Sequence, residues 1–471
     1  MEKTNKKSSF IKGATIIAGG GFLAKLIGAL YRVPLANLIG GYGLGLYQMV
    51  YPVYCLLLTV SATGIPSSIA KLTAERISKG QGDKPLIKTA FKLFLTVGAV
   101  GSLLMVAISP LLSSAQGCKQ ITSGYFALAP SVFLVSAISV FRGWFQGKND
   151  MLPTALSEIL EQLVKVAFGL AFAYIFRERV ERAVTFLLLA VSISELFALA
   201  LMAVLYKRVP TPKKPQESGG RVAFRSVLRL SIPVTFSSML LPLSSLLDSV
   251  LFVRLLGKSA QNAVTLYGLF AGGAVTIINL PVSICYGIAV ASVPAVATAK
   301  AEIDAGKNAS VKKRLFFALG VTALIATPCA LGLYFFAEPA VKIVFRSLQG
   351  EDLAVLIGLV KAFAFSAFTL SCVQTLSACL TAQGKPQYAV ISMAVAVVAK
   401  TVFYTVGMQG RSPSIFTLAY ATNLCYLIAF LLDLLYNLRA SKKTESKNAN
   451  DYGSRVGKRK GRNNAKGQKS D

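Results

Sequence analysis

The sequence predicts an all-α polytopic membrane protein whose twelve transmembrane helices form two pseudo-symmetric six-helix lobes. Three observations carry this. Charged residues are only 15% of the chain and hydrophobic ones 54%, with a mean hydropathy of +0.59, whereas a soluble domain carries about 25% charged residues. Apolar runs of roughly 20 residues, enough to cross a bilayer, recur along the chain. Twelve such runs divide six and six about one polar segment. Backbone groups in lipid must pair within helices or a closed barrel. Continuous runs without strict alternation select helices.

The predicted spans are 13–39, 44–66, 93–113, 121–141, 152–176, 183–206, 230–253, 263–293, 315–337, 353–381, 387–407 and 414–437. The basic start MEKTNKKSSFIKG leads into a run that continues past Leu30, so it reads as a retained first helix rather than a cleaved leader. Residues 1–206 form the N-terminal lobe and 230–440 the C-terminal lobe. Residues 207–229 contain VPTPKKPQESGG and form a cytoplasmic linker. Residues 441–471 are polar, basic and poor in aromatics, the composition of a disordered tail.

The net charge of +30 follows membrane topology rather than nucleic-acid binding. With the N-terminus inside, Lys and Arg in the connecting segments favour the inner side by roughly four to one, which places both termini in the cytoplasm. Arg142 and Lys148 are counted here in the loop after span 4. The chain has seven cysteines and no histidine, and no cysteine pair has metal-ligand or redox spacing, so neither a metal nor a disulfide scaffold is expected. No G-x-x-x-x-G-K-[ST] motif is present, so no nucleotide cofactor is expected. The glycine run Gly19-Gly20-Gly21 reads as close helix packing.

The halves repeat in sequence. AKLTAERISKG from Ala70 is echoed by ATAKAEIDAGK from Ala297. LIGGYGLGLYQ is echoed by LLGKSAQNAVTLYG, and Gln146-Gly147-Lys148 by Gln383-Gly384-Lys385. Each copy lies six spans on, so both halves enter the membrane in the same direction. A parallel repeat of this kind rocks about a central cavity, giving alternating access.

Ionisable groups inside spans are costly and mark function by default. Span 1 holds Lys25 and Arg32, and span 5 holds Glu158, Glu161 and Lys165. Glu195 lies in span 6, Asp248 in span 7, Lys361 in span 10 and Lys400 in span 11. Glu158, Glu161, Gln162 and Lys165 fall at i, i+3, i+4, i+7 and share one helix face. That face either lines a cavity or is pinned by a Glu161–Lys165 ion pair. Arg32 and Asp248, on equivalent spans, either meet as a static bridge or flank a substrate path. Asp248, Glu195 and Glu161 are the candidates for ion coupling or gating.

The runs LIGGYGLGLYQMVYPVY, TGIPSSIAKLTAE and FRGWFQGKNDMLPTALSEILEQLVK resemble those of the stage V sporulation protein B family. The similarity extends over most of residues 8–437. That family belongs to the multidrug/oligosaccharidyl-lipid/polysaccharide (MOP) exporter superfamily. The resemblance implies a V-shaped pair of lobes in the bacterial cytoplasmic membrane and a flippase, not an enzyme. Its substrate would be an undecaprenyl-diphosphate-linked sugar, bound by Arg32 with Lys25, Lys165 and Lys400. Membrane lipids and wall or polysaccharide synthesis enzymes are the further partners expected. The related lipid II flippases have fourteen helices and an arginine in helix 8. This chain has neither, so the resemblance points to flipping in general. Two rivals stand beside it: a cation-coupled multidrug or small-molecule antiporter of the same superfamily, and a scaffold acting through its tail.

Overall fold

The computed structural model describes residues 2–59, 64–209, 224–256, 260–304, 309–409 and 414–467. The first helix, α1 (Glu2–Leu58), is broken at Gly40, where φ is 65°, a left-handed backbone that glycine adopts at little cost. Neighbour pairs show that the chain reverses there. Before the break, Gly20 lies against Ala155, Gly28 against Gln162 and Tyr31 against Gly169, so this part runs parallel to α5 (Leu152–Ile175). After the break, Val50 lies against Gly124, and within α2 (Gly64–Ser78) Ile69 meets Gly143 and Thr73 meets Gly147. This second pass therefore runs parallel to α4 (Thr122–Gly147). Spans 1 and 2 are thus two membrane passes joined at one glycine. The end of the bundle at Gly40, away from the N-terminus, is called the remote end below.

Spans 3 and 6 are α3 (Lys84–Ala115) and α6 (Val180–Arg208). Proline in the first turn of α3 and α5 suits a position whose N–H has no helical partner. Lys207 and Arg208 end α6, opposite in sign to the helix dipole there. Span 7 is α7 (Phe224–Leu255). Span 8 is built from α8 (Ala260–Gly268), a π-helical turn at Leu269–Ala274, and α9 (Val275–Asp304). Span 9 is α10 (Val311–Phe335), followed by a short helix that the sequence reading did not foresee, α11 (Ala337–Val344). Spans 10 to 12 are α12 (Gly350–Ala382), α13 (Pro386–Met408) and α14 (Ile415–Gly467).

Nine stretches among the described residues are long and apolar enough to cross a membrane. One of them, Gly19–Leu58, holds both passes of α1. Adding α7 and the more polar α5 accounts for the twelve expected spans. Two boundaries differ from expectation. The α4 helix runs on to Gly147, so Arg142 lies inside a helix and not in a loop. The α14 helix continues to Gly467 through most of the 441–471 tail, a stretch with no proline to stop it. The greater part of the 207–229 linker lies outside the described residues.

The chain packs as two compact units. The first comprises residues 1–277, 336–362 and 401–419, and the second residues 278–335, 363–400 and 420–471. In the first unit, Ile65, Ile69, Leu86, Phe94, Phe141, Trp144 and Met202 form a buried core on the N-terminal side. Phe141 and Trp144 both meet the Tyr206 ring. In the second unit, Val296, Ala299, Leu315, Leu376 and Cys379 form the corresponding cluster.

The sequence repeat has a structural counterpart within each unit. A Cβ on Gly147 would lie 2.5 Å from Thr73 Cβ, and one on Gly384 would lie 3.4 Å from Lys300 Nζ. Thr73 and Lys300 are equivalent when Ala70 is matched to Ala297. The glycine of each Gln-Gly-Lys turn thus lies beside the side chain of the same repeat position, at Cβ for Thr73 and at the distal amine for Lys300.

Candidate functional site

Inside the first unit, the polar face of α5 turns inward. The small residues of α1 permit this: a Cβ on Gly28 would come within 3.1 Å of Gln162 Oε1, and one on Gly20 within 2.6 Å of Ala155 Cβ. The glycine run expected to mediate close packing does so at Gly20. Arg142 of α4 reaches this face. Its Nη2 donates to Glu161 Oε2 at 3.1 Å and its Nε to Ser157 Oγ at 2.9 Å. Gln162 Nε2 donates to Glu161 Oε1 at 3.2 Å. Glu161 therefore pairs with Arg142, with Lys165 also within electrostatic range of it.

Beside this pair lies Glu195 of α6, a residue only 2% exposed. Tyr54 OH donates to its Oε1 at 3.3 Å, while Oε2 has no hydrogen-bond partner. Glu161, Arg142 and Lys165 all lie within electrostatic range of Glu195. A buried carboxylate with one oxygen unsatisfied is costly unless a proton, cation or ligand group completes it.

Three tyrosines lead away from Glu195 along the second pass of α1. Tyr47 and Tyr51 stack at 5.1 Å, and Tyr51 and Tyr54 lie 5.6 Å apart. Arg32 is within electrostatic range of Tyr47, Tyr51 and Lys165. Its Nη1 donates to Thr276 Oγ1 of α9 at 2.9 Å. Arg32, Arg142, Lys165 and Glu161, all partly buried, thus belong with the buried Glu195 to one polar network with its tyrosine wall.

The other expected residues fall elsewhere. Asp248 of α7 is buried, within electrostatic range of Tyr267 and Tyr404. Lys400 is buried in α13 of the second unit, and Lys361 is exposed. The side chain of Lys25 lies outside the described residues. Sequence reading missed Arg142, counted as a loop residue, and Tyr54, although Tyr47, Tyr51 and Tyr54 are spaced i, i+4, i+7 on one helix face. It also missed Asp433 of the second unit, which is 1% exposed. Ser377 Oγ donates to Asp433 Oδ2 at 2.6 Å, and Asp433 Oδ1 has no partner.

The site is thus a cluster of charged and tyrosine side chains set among the spans of a polytopic helical bundle. The family model for polysaccharide biosynthesis proteins matches residues 10–300, and the chain belongs to that family. It is 29% identical over 355 residues to stage V sporulation protein B of Bacillus subtilis (strain 168), covering 72% of this chain and 68% of that protein. It is 20% identical over 425 residues to the lipid II flippase MurJ of the same organism, covering 84% and 76%. Among solved structures, an inward-facing multidrug resistance MATE family transporter of the MOP superfamily superposes with a TM-score of 0.74 at 14% identity, covering 90% of this chain and 96% of that one. The lipid II flippase MurJ in an inward closed conformation gives 0.70 at 12% identity, covering 92% and 91%.

Proposed function

We propose that the protein flips a lipid-linked sugar diphosphate across the bacterial cytoplasmic membrane by alternating access. Its two six-helix lobes, residues 1–206 and 230–440, rock against each other, with both termini cytoplasmic. The observation that carries this reading is the partly buried network around Arg32, Arg142 and Lys165 inside the spans. A single charge at mid-membrane costs about 2.5–3.5 kcal/mol, so a structural bundle gains nothing by retaining several. A diphosphate headgroup suits guanidinium, which binds phosphate oxygens bidentately. Arg32 and Lys165 bind the headgroup, with Lys25 and Lys400 as further contacts. The polysaccharide biosynthesis family and the lipid II flippase relative support a lipid-linked sugar as cargo.

One observation favours the second reading, a cation-coupled antiporter for small molecules. Glu195, buried with a free oxygen, is built to carry a proton or a monovalent cation. Proteoliposomes separate the two readings. Movement of an undecaprenyl-diphosphate sugar by the purified protein, lost in Arg32→Ala, supports flipping. Gradient-driven dye efflux that needs Glu195, with no lipid movement, supports the antiporter and removes the flippase.

A further inference from the structure

At the remote end of the first unit, polar side chains tie the N-terminal helices to the ends of later ones. Gln116, at the α3–α4 turn, is fully buried. Its Nε2 donates to Met49 O and to Ser249 Oγ of α7, each at 2.8 Å. Its Oε1 accepts from Tyr125 OH at 2.6 Å. Both amide hydrogens and the carbonyl are used, so this amide is a fully satisfied junction between helices.

Other ties lie beside it. Arg254 Nε of α7 donates to Ala115 O at 2.7 Å. Gln48 Nε2 donates to Ala271 O, inside the π-helical turn, at 2.8 Å. Asn37 Nδ2 donates to Val344 O at 2.8 Å, and Asn37 Oδ1 accepts from Ser347 N at 2.9 Å. Between these ties the backbones touch: a Cβ on Gly45 would lie 2.0 Å from Val264 O, and one on Gly268 would lie 2.1 Å from Gly41 O. These glycines sit in the two echoed segments found in the sequence.

We propose that Gln116, Gln48 and Asn37 form a releasable clasp that closes the remote end of the transport path. The proposal rests on the alternating-access reading above. Its chemistry suits opening. The ties from these three residues are neutral amide bonds, each small in net worth because water replaces it when the partners separate. The paired glycines let the two backbones close without a side chain between them.

Cys118, two residues beyond Gln116, is 4% exposed and serves as a native reporter. The test uses full-length protein in lipid nanodiscs, with the other six cysteines replaced by alanine, and measures labelling of Cys118 by a membrane-impermeant maleimide. Gln116→Ala should raise the labelling rate roughly ten-fold, the effect of about two lost hydrogen bonds. Gln48→Ala, on a different helix, should also raise it several-fold, a response that merely local loosening near Cys118 would not produce. Parent-like labelling in both variants would overturn the proposal, as would a response confined to Gln116→Ala. A second arm carries Gln116→Cys and Ser249→Cys in a background from which Cys118 is also removed, and joins the pair with a bifunctional thiol reagent. Joined protein should lose at least ten-fold in lipid-linked sugar movement, restored when the linker is cleaved; full activity while joined would sink the clasp. If the unjoined parent moves no lipid-linked sugar, the flippase reading fails, and the labelling arm still decides the clasp.

Discussion

Arg142 Nη2 lies 3.1 Å from Glu161 Oε2, and both side chains are largely withdrawn from solvent, at 14% and 18% exposure. This pair joins α4 to α5. Removing one partner of such a buried pair strands the other charge, at a cost of roughly 3 kcal/mol or more. Glu161→Ala should therefore lower the melting temperature of purified protein markedly. An Arg142→Met, Glu161→Met double variant should recover most of the loss. Trp144, the one tryptophan in the chain, reports the transition by fluorescence.

Asp83 holds the Gln-Gly-Lys turn to the start of α3. Its Oδ2 accepts from Trp144 Nε1 at 2.7 Å and pairs with Lys148 Nζ at 3.1 Å, and Lys148 Nζ lies 3.9 Å from the Trp144 ring centre. Asp83→Ala removes the acceptor from both. The expected loss is about 1.5–3 kcal/mol, the range for a hydrogen bond to a charged group, with a red shift of tryptophan emission. An unchanged spectrum would show that the turn is held by packing alone.

Gly147 and Gly384 occupy equivalent turns under different constraints. A Cβ on Gly147 meets Thr73 Cβ and Ala70 O, the latter at 2.7 Å, so Gly147→Ala should cost about 1–3 kcal/mol through overpacking. Gly384 has φ of 74° and looser surroundings. There the penalty is backbone strain, about 1–2 kcal/mol. Both variants should melt lower. Introducing Thr73→Ala should rescue Gly147→Ala in part, while Lys300→Ala should leave Gly384→Ala unrescued.

Glu195→Gln keeps an acceptor for Tyr54 and removes the titratable group. If Glu195 carries a coupling proton, transport by this variant should no longer respond to an imposed proton gradient, while its unstimulated rate stays near that of the parent. Proteoliposome assays with and without a pH gradient measure this. An intact gradient response would assign the coupling to another residue.

Much of the fold was legible because a span is a one-dimensional property. A run of apolar residues long enough to cross lipid must become a helix, whatever its neighbours. Of the three echoes, the turns at Gly147 and Gly384 have a structural counterpart. The polar face of α5 was legible too, because i, i+3, i+4, i+7 spacing places Glu158, Glu161, Gln162 and Lys165 together on any helix.

What no run of residues determines is rotation and depth. Glu161 pairs with Arg142 because α4 continues past Phe141 and brings that guanidinium to α5. Apolar counting ended the span one residue too early to reveal it. Gln116 looked like a residue of an ordinary turn, and Asp433 was lost within an apolar run. By itself the sequence determined that this is a polytopic helical membrane protein with a repeated half and charges inside its spans. Only the tertiary structure decided which charges meet, which carboxylate oxygens stay unpartnered and which amides tie one helix to another. The physical reason is that burial in lipid is dictated segment by segment, whereas a hydrogen bond exists only where two segments bring donor and acceptor within about 3 Å.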